Sequence, residues 1–216
     1  AAVGEITGWI VETDESDRSL LKYRPSCAVV TNISADHFPL ETSRELFAAF
    51  AQRVRGPVLG AVGDAAYLEG FDPVLQGDHS VVRFDGQPVT VPLPGRHNAE
   101  NALHAMALAV TLGVDRERAA AALATFRGIA RRLEVVGTGG VTVIDDYAHN
   151  PAKIAAAWEA LSAYGGPIAG VWRPHGYGPL RQMFDDLVRV FRRLLRPEDR
   201  LFVLPVYDAG GTADRR

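Results

Sequence analysis

The segment Val141-Thr142-Val143-Ile144-Asp145-Asp146-Tyr147-Ala148-His149-Asn150-Pro151 decides the fold class. Its first four residues are β-branched, which is typical of a strand. Two aspartates end this strand, and a helix is predicted from 151 to 164 because proline is favoured in a first helical turn. A strand that passes through a polar loop into a helix is the repeating unit of α/β folds.

The same alternation of strand and helix extends to both sides. Further strands are predicted at residues 9–12, 28–33, 58–62, 80–84, 88–91, 133–136, 168–172 and 201–206. Further helices are predicted at residues 41–54, 99–112, 116–124 and 180–195. Asp85-Gly86 is predicted to form the turn of a hairpin. Asp115 is predicted to cap the helix at residues 116–124. We therefore predict an α/β fold with a mainly parallel sheet and a domain boundary near residues 128–131.

The composition is that of a globular protein. Hydrophobic residues make up 47% and charged residues 23% of the 216 residues, which excludes general disorder. The net charge of −3 argues against a nucleic-acid-binding protein, which needs a basic face. The single cysteine, Cys27, permits no intramolecular disulfide and fits a reducing compartment. No apolar run reaches the ~18 residues of a membrane span, so neither nucleic acid nor membrane is a predicted partner.

Polar side chains follow three of the predicted strands. They belong to Glu12, Asp14, Glu15 and Asp17 after the first strand, Asp36 and His37 after the second, and Asp145, Asp146, Tyr147 and His149 after the strand at 141–144. Working residues of open α/β sheets lie at the carboxyl ends of strands. Oxygen ligands with one imidazole suit a hard cation such as magnesium or manganese. The alternative is that these acids cap helices and solvate loops.

Two asparagines stand at the start of the helix predicted from residue 99. Asn98 and Asn101 are three residues apart, so both side chains can face one ligand. An amide offers a donor and an acceptor together, which suits recognition of an adenine edge. The alternative, which the spacing alone favours, is that Asn98 is an N-cap and Asn101 is a solvated residue of the first turn.

Two groups of basic residues are candidates for binding anions. Arg131 and Arg132 adjoin the predicted domain boundary, where a pair of guanidinium groups can clamp phosphates. Arg173, His175 and Arg181 follow the strand at 168–172. The alternative for each group is a set of solvated charges.

Five motifs occur in the order and with the spacing of the Mur ligases, and the chain resembles this family over nearly its whole length. The motifs lie at residues 12–17, 31–37, 94–98 with 101–102, 128–134 and 145–151. The closest branch is the one that adds L-alanine, and the branch that reattaches recycled murein peptide is a near relative. The resemblance implies part of a central ATP-binding domain over residues 1–129 and part of a Rossmann-like C-terminal domain over residues 130–216.

The resemblance implies an ATP-dependent amide-bond ligase of peptidoglycan precursor synthesis. Such a ligase phosphorylates a carboxylate to an acyl phosphate, which an amino group then attacks. Catalysis of this kind rests on positioning and on neutralising charge, with metal ions bridging the phosphates. The implied cofactors are ATP and Mg²⁺, the implied substrates are UDP-N-acetylmuramate and an amino acid or peptide, and the implied location is the cytoplasm.

The resemblance also implies a role for each matching residue. The implied metal ligands are Glu12, His37 and Glu15, of which Glu12 and His37 are predicted to lie close together. The implied nucleotide contacts are His97, Asn98 and Asn101 at the adenine, Arg132 at the phosphates and Asp146 at the ribose. The implied substrate contacts are Tyr147, His149, His175 and Arg181, and the implied catalytic residues are His37, Arg132 and His149. The nucleotide is expected between two domains, with a hinge near residues 128–132.

The chain departs from the family pattern in three ways. It contains no Gly-x-x-x-x-Gly-Lys-Thr phosphate loop, it has Gly176 and Pro179 where arginines are expected, and it ends soon after the last predicted strand. We therefore expect a fragment without the N-terminal domain and phosphate loop, inactive alone, whose missing segment another chain can supply. Two alternatives stay open: a degenerate paralogue that only binds nucleotide, and a Mur-type ligase for another carboxylate and amine.

Overall fold

The structure is a computed structural model that describes residues 8–34 and 38–208. Its backbone divides into two compact units. As far as their residues are described, the first comprises Ala1–Glu69 and His104–Val114, and the second comprises Gly70–Leu103 and Asp115–Arg216. The predicted domain boundary between residues 129 and 130 stays a prediction. Among the described residues, no helix has the length and apolar composition that a membrane span requires.

The described residues form nine strands and five α-helices. The strands are β1 Ala28–Val30, β2 Val58–Gly60, β3 Val74–Gln76, β4 His79–Phe84, β5 Gln87–Val91, β6 Glu134–Gly137, β7 Val143–Asp145, β8 Ala169–Trp172 and β9 Arg200–Val203. The helices are α1 Leu40–Ala51, α2 Arg96–Thr111, α3 Arg116–Ala124, α4 Pro151–Ser162 and α5 Tyr177–Leu194. Two short 3₁₀ helices span Ser19–Lys22 and Ala66–Leu68. All five predicted helices are confirmed, and the predicted mixed α/β class is confirmed with them.

The first unit is built on a parallel pair of strands, β1 and β2, which α1 connects. Parallel neighbours need a crossover of this kind. Leu46 and Phe50 lie one turn apart on α1 and are both buried, as the helical spacing of the apolar residues predicts. Phe50 packs with Leu20 and Val30 in the core of this unit.

The strand predicted at residues 9–12 is wrong. These residues have no regular secondary structure, and the side chains of Trp9 and Ile10 are 86% and 99% exposed. A strand needs a neighbour that pairs with its N–H and C=O groups. In the described part of the first unit, the sheet consists of β1 and β2. The apolar pattern of residues 9–12 is typical of a strand, but such a pattern carries no information about whether a partner strand is available.

The second unit contains a three-stranded antiparallel sheet with the order β3-β4-β5. Asp85 and Gly86, with φ of 50° and 74°, form the predicted two-residue turn, since left-handed conformations match the twist of a hairpin. Val82, Val89 and Val91 of this hairpin are buried. Helix α3 packs against β5, and the side chain of its predicted N-cap, Asp115, accepts the N–H of Arg118.

The second unit also contains a parallel pair, β8 and β9, which α5 connects. A Cβ atom at Gly170 of β8 would lie 2.6 Å from the ring of Trp158, so glycine is required for α4 to come this close. The ring of Phe191 on α5 contacts those of Trp158 and Trp172 at centroid distances of 6.4 and 5.5 Å. Helices α4 and α5 therefore pack against the strand pair and against each other.

The prediction of a mainly parallel sheet needs correction. The described strands form four separate sheets, of which β1-β2 and β8-β9 are parallel while β3-β4-β5 and β6-β7 are antiparallel. The parallel pairs occur where a helix connects the two strands, and the antiparallel pairs occur where a short turn does. The connections at residues 85–86 and 138–142 are too short for a crossover, so they impose antiparallel pairing.

The carboxylate of Asp199 joins the connection between α5 and β9 to the start of β8. Its Oδ1 accepts the backbone N–H of Ile168 at 2.9 Å, and the guanidinium of Arg196 donates to both oxygens at 2.9 and 3.1 Å. The Asp199 side chain is buried. The Arg196 guanidinium holds the pKa of Asp199 well below its usual range, because these charge-assisted bonds favour the ionised carboxylate.

We expect acid to destabilise the second unit through Asp199. Its pKa is lower in the folded than in the unfolded chain, so its contribution to stability is complete above the ordinary carboxyl pKa of about 4 and is lost as the pH falls below it. Asp199→Asn is expected to lower the free energy of unfolding at neutral pH. The variant is also expected to lose less of this free energy between neutral and acidic pH than the wild type does. Urea unfolding of both proteins at neutral and acidic pH measures these effects.

The matched control for this prediction is Asp186→Asn. Asp186 pairs with Arg189 on an exposed face of α5, so its removal is expected to change the free energy of unfolding by less than about 1 kcal/mol. Equal losses in the two variants would contradict the role given to Asp199.

Candidate functional site

Helix α2 carries the two predicted adenine contacts in its first turns. The helix begins at Arg96 rather than at residue 99, so Asn98 is not its N-cap. The side-chain amide of Asn98 donates to the carbonyl of Pro94 at 2.8 Å, and Asn101 is exposed one turn later. The bond uses one of the two N–H groups of the Asn98 amide, so its carbonyl oxygen and second N–H can serve a ligand.

Gly95 allows the segment before α2 to approach α4 closely. Its φ of +90° lies in the left-handed region, which glycine adopts without strain. A Cβ atom there would lie 2.8 Å from the Cβ of Ala160 and 3.0 Å from Cε1 of His97. This packing holds the half-buried ring of His97 in a fixed place beside the last turn of α4.

The imidazole of His97 responds to three charged neighbours. Burial lowers its pKa, so it is neutral near pH 7; Asp146 and Glu100 raise the pKa, and Arg132 lowers it. His97 therefore lies within electrostatic reach of Arg132 and Asp146. Residues far apart in the sequence thus influence one another electrostatically within the second unit. The predicted hinge near residues 128–132 stays a prediction.

Arg132 is the middle residue of a turn with an unusual backbone. Arg131 and Leu133 on either side have left-handed conformations, with φ of 61° and 50°, which cost about 1–3 kcal/mol each in residues other than glycine. The Asp146 carboxylate accepts the N–H of Leu133 at 2.9 Å through Oδ2 and that of Ala148 at 2.7 Å through Oδ1. Asp146 therefore links this turn to the loop that follows β7.

Tyr147 and His149 form a pair of rings in the loop between β7 and α4, with centroids 5.3 Å apart. The Tyr147 N–H donates to the carbonyl of Arg131 at 2.9 Å. The Cζ atom of Arg131 lies 4.7 Å from the Tyr147 ring centroid, which is a cation–π contact. The Nδ1 atom of His149 donates to the Tyr147 carbonyl at 3.0 Å, and in the neutral imidazole this bond leaves Nε2 as an acceptor.

The donor and acceptor groups of His97, Asn98, Arg132 and Asp146 fit a nucleoside polyphosphate. A guanidinium matches the geometry of a phosphate, and an amide matches an adenine edge. Each oxygen of Asp146 has a second lone pair beyond the one that accepts a backbone N–H, so the carboxylate can also accept from ribose hydroxyls. The second unit therefore offers one group for each part of a nucleotide.

Of the predicted metal ligands, the described residues Glu12 and Glu15 belong to the first unit. Glu12 is exposed, while Glu15 is 9% exposed and its carbonyl accepts the N–H of Arg18 at 3.0 Å. His37 lies outside the described residues, so the predicted approach of Glu12 and His37 stays a prediction. Within the part of the chain that the structure describes, no three His, Cys, Asp or Glu side chains form a metal-binding group.

His175 and Arg181 lie after β8, in the second unit. The ring of His175 stacks on that of Tyr207 at 5.1 Å, and Arg181 is exposed on α5. Gly176 precedes α5 as its N-cap with φ of +87°, and its N–H donates to the Tyr207 carbonyl at 2.9 Å. The residue that replaces the first expected arginine therefore begins a helix.

Gly95 and Glu134 shape this site and were not predicted as site residues from the sequence, and Arg131 was predicted there only as part of a phosphate clamp. Gly95 sets the approach of His97 to α4, Arg131 contacts Tyr147, and Glu134 accepts the N–H of Arg131 at 2.8 Å through Oε2. A glycine directly before a helix is a signal that could have identified Gly95. The contacts of Arg131 and Glu134 depend on left-handed backbone in non-glycine residues, which the sequence does not indicate.

Comparison with known proteins identifies one family. The model of the "Mur ligase, glutamate ligase domain" matches residues 131–205. The UDP-N-acetylmuramate–L-alanine ligase of Acidithiobacillus ferrooxidans is 36% identical over 253 residues, which cover 99% of this chain and 54% of that protein. The enzyme of the same name from Paenarthrobacter aurescens is 37% identical over 243 residues, which cover 97% and 52%. The chain thus spans about half the length of the curated relatives it matches.

Solved structures share the fold. The UDP-N-acetylmuramate-alanine ligase MurC of Thermotoga maritima matches with a TM-score of 0.66 at 21% identity, over 92% of this chain and 59% of that one. MurF from Acinetobacter baumannii matches with a TM-score of 0.62 at 16% identity, over 87% and 58%. At these identities, the two matches support the fold alone.

Replacing Gly95 with alanine is expected to destabilise the second unit. The new Cβ would lie 2.8 Å from that of Ala160, and the combined cost of left-handed φ and overpacking is about 2–5 kcal/mol in the free energy of unfolding. Gly86→Ala is the matched control, since Gly86 has φ of +74° and open space around the position of a Cβ. It should lose only about 1–2 kcal/mol. Urea unfolding measures both, and equal losses would contradict the close packing at Gly95.

The titration of His97, followed by NMR, tests its electrostatic neighbours. Arg132→Gln is expected to raise the pKa of His97, because a nearby positive charge is removed. Glu100→Gln is expected to lower it, because a negative charge is removed. Both changes follow from Coulomb interaction with the imidazolium. Shifts of the same sign, or none, would show that His97 does not lie near these side chains.

Proposed function

Because this chain belongs to the Mur ligase family, we propose that it forms part of an ATP-dependent ligase that joins L-alanine to UDP-N-acetylmuramate in peptidoglycan precursor synthesis. The names of both curated relatives give this pair of substrates. The observation that carries the proposal is the pair of hydrogen bonds by which Asp146 holds the turn of Arg132 and the loop of Tyr147 and His149, beside His97, whose pKa responds to Arg132 and Asp146. The proposed location is the cytoplasm, which fits a chain with a single cysteine.

ATP supplies the phosphoryl group that activates the substrate carboxylate as an acyl phosphate. We assign Arg132 to the phosphates, where a guanidinium neutralises charge. Asn98 and Asn101 contact the adenine through their amides, and Asp146 accepts the ribose hydroxyls. His97, which burial keeps neutral, packs beside the base without adding a charge there.

His149 acts on the amino group of the incoming amino acid in this proposal. Its bond from Nδ1 to the Tyr147 carbonyl selects the tautomer whose Nε2 carries the lone pair. That nitrogen can take a proton from the ammonium group, so the free amine attacks the acyl carbon and inorganic phosphate leaves. Tyr147 lines the amino-acid site. His175 and Arg181 are two further substrate contacts in this proposal.

Magnesium, when bound, would neutralise negative charge near the reacting carboxylate. Carboxylate oxygens and one imidazole are suitable donors for a divalent cation. The proposed ligands are Glu12 and His37, with Glu15 as the substitute for Glu12.

Calorimetric titration of the 216-residue chain with a non-hydrolysable ATP analogue tests the nucleotide assignment. Arg132→Gln is expected to weaken binding about 10- to 100-fold, the worth of a charge-assisted hydrogen bond. The matched control is Arg127→Gln, which removes the same charge from an exposed side chain nearby in sequence. Failure of the wild-type chain to bind, or equal losses in the two variants, would refute the assignment.

We expect the chain alone to bind nucleotide without ligating the substrates at a useful rate. Its 216 residues contain no phosphate-loop motif, and loss of even one preorganised donor costs about 100- to 1,000-fold in rate. Phosphate release with ATP, UDP-N-acetylmuramate and L-alanine measures turnover. Robust release that depends on both substrates would contradict the expectation and would mean that another element replaces the loop.

A second candidate is a Mur-type ligase for a different amine, and Gly176 and Pro179 favour it. By resemblance, arginines at these positions hold a carboxylate, and neither glycine nor proline supplies a cation. Titration of amines, followed through the NMR signals of His149 and His175, distinguishes the two candidates. L-Alanine should shift both signals if the first is correct, and amines without a carboxylate should do so if the second is correct.

A further inference from the structure

Glu134 reaches back to the residue three positions before it. Its Oε2 accepts the backbone N–H of Arg131 at 2.8 Å. Neither the resemblance nor the proposed function gives Glu134 a role. We propose that Glu134 is a positioning residue that, together with Asp146, holds the turn presenting Arg132 to the bound nucleotide. The turn itself is described by the structure, and its importance for nucleotide binding rests on the function proposed above.

The backbone of this turn is hydrogen-bonded at four places. Glu134 accepts the N–H of Arg131, and Asp146 accepts that of Leu133. The carbonyl of Arg131 accepts from Tyr147 at 2.9 Å, and the N–H of Arg132 donates to the carbonyl of residue 129 at 3.1 Å. Left-handed conformations are rare in residues other than glycine and persist only where several contacts determine them. In two of these four hydrogen bonds, the acceptor is a side-chain carboxylate.

The conformations of Arg131 and Leu133 set the direction in which the Arg132 side chain leaves the backbone. The Cζ atom of Arg132 lies 6.0 Å from the ring centroid of Tyr147, and its charge reaches His97. Leu133 is buried and anchors one end of the turn. The other end of the turn, at Arg131, is exposed, so its backbone conformation depends more strongly on the hydrogen bond to Glu134. Loss of the hydrogen-bond acceptor that the Glu134 side chain supplies is therefore expected to release Arg132 from the neighbourhood of His97.

Three substitutions at this position separate the hydrogen bond from the charge. Glu134→Gln keeps a carbonyl oxygen as acceptor and removes the charge. Glu134→Ala removes both. Glu134→Asp keeps the charge on a side chain that is one methylene group shorter and cannot reach the Arg131 N–H. We expect the glutamine variant to behave like the wild type, and the other two variants to behave like each other.

The NMR titration of His97 reports the position of Arg132 without any nucleotide. Glu134→Ala and Glu134→Asp are expected to raise the pKa of His97 toward its value in Arg132→Gln. Combining Glu134→Ala with Arg132→Gln is expected to add nothing, because both changes act through the same charge. The indole signal of Trp158, which is buried in the second unit, serves as the control that the variants are folded.

Calorimetry with the ATP analogue connects this position to binding. The proposal expects affinity to fall about 5- to 10-fold in the alanine and aspartate variants and to stay within about twofold in the glutamine variant. A wild-type pKa of His97 in both alanine and aspartate variants would overturn the positioning role. A raised pKa with unchanged affinity would support that role and refute the assignment of Arg132 to the phosphates.

Discussion

The Asp146 carboxylate accepts two backbone N–H groups, and the arrangement of the candidate site depends on these bonds. Through Leu133 it fixes the turn that carries Arg132. Through Ala148 it fixes the loop that leads to Asn150, whose side chain accepts the N–H of Lys153 at the start of α4. One side chain thus sets the direction of a guanidinium, the position of an aromatic pair and the start of a helix. Asp146 therefore has a structural role that does not depend on the proposed contact with ribose.

Features that arise within a few residues of the chain were predictable from the sequence. The hairpin turn at Asp85-Gly86, the cap at Asp115 and the start of α4 at Pro151 are all where the local pattern places them. Features that depend on a distant partner were not. Residues 9–12 have the pattern of a strand but no strand to pair with in the described first unit, and the length of each connection, rather than the alternation of elements, decides the direction of pairing.

In the candidate site, too, part of the arrangement could be predicted from the sequence and part could not. The resemblance supplied the residue types, and in the second unit Asp146 is hydrogen-bonded to the turn of Arg132, while both residues affect the pKa of His97. The resemblance did not supply the geometry of the site. The left-handed backbone on either side of Arg132 is unfavourable by itself, and the surrounding hydrogen bonds offset its cost. A pattern of side chains does not encode such strain. The metal site remains a prediction for a different reason, since His37 lies outside the described residues.

The partly buried, neutral imidazole of His97 has a consequence for how an anion would bind. Phosphates bound to Arg132 would raise the pKa of His97, because they would offset the positive charge by which Arg132 lowers it. Binding would then be accompanied by proton uptake, and affinity would increase as the pH falls toward the pKa of the free ring, which lies below the ordinary histidine value of about 6.5. The protons would come from the buffer, so the measured heat of binding would differ between buffers of different ionisation enthalpy.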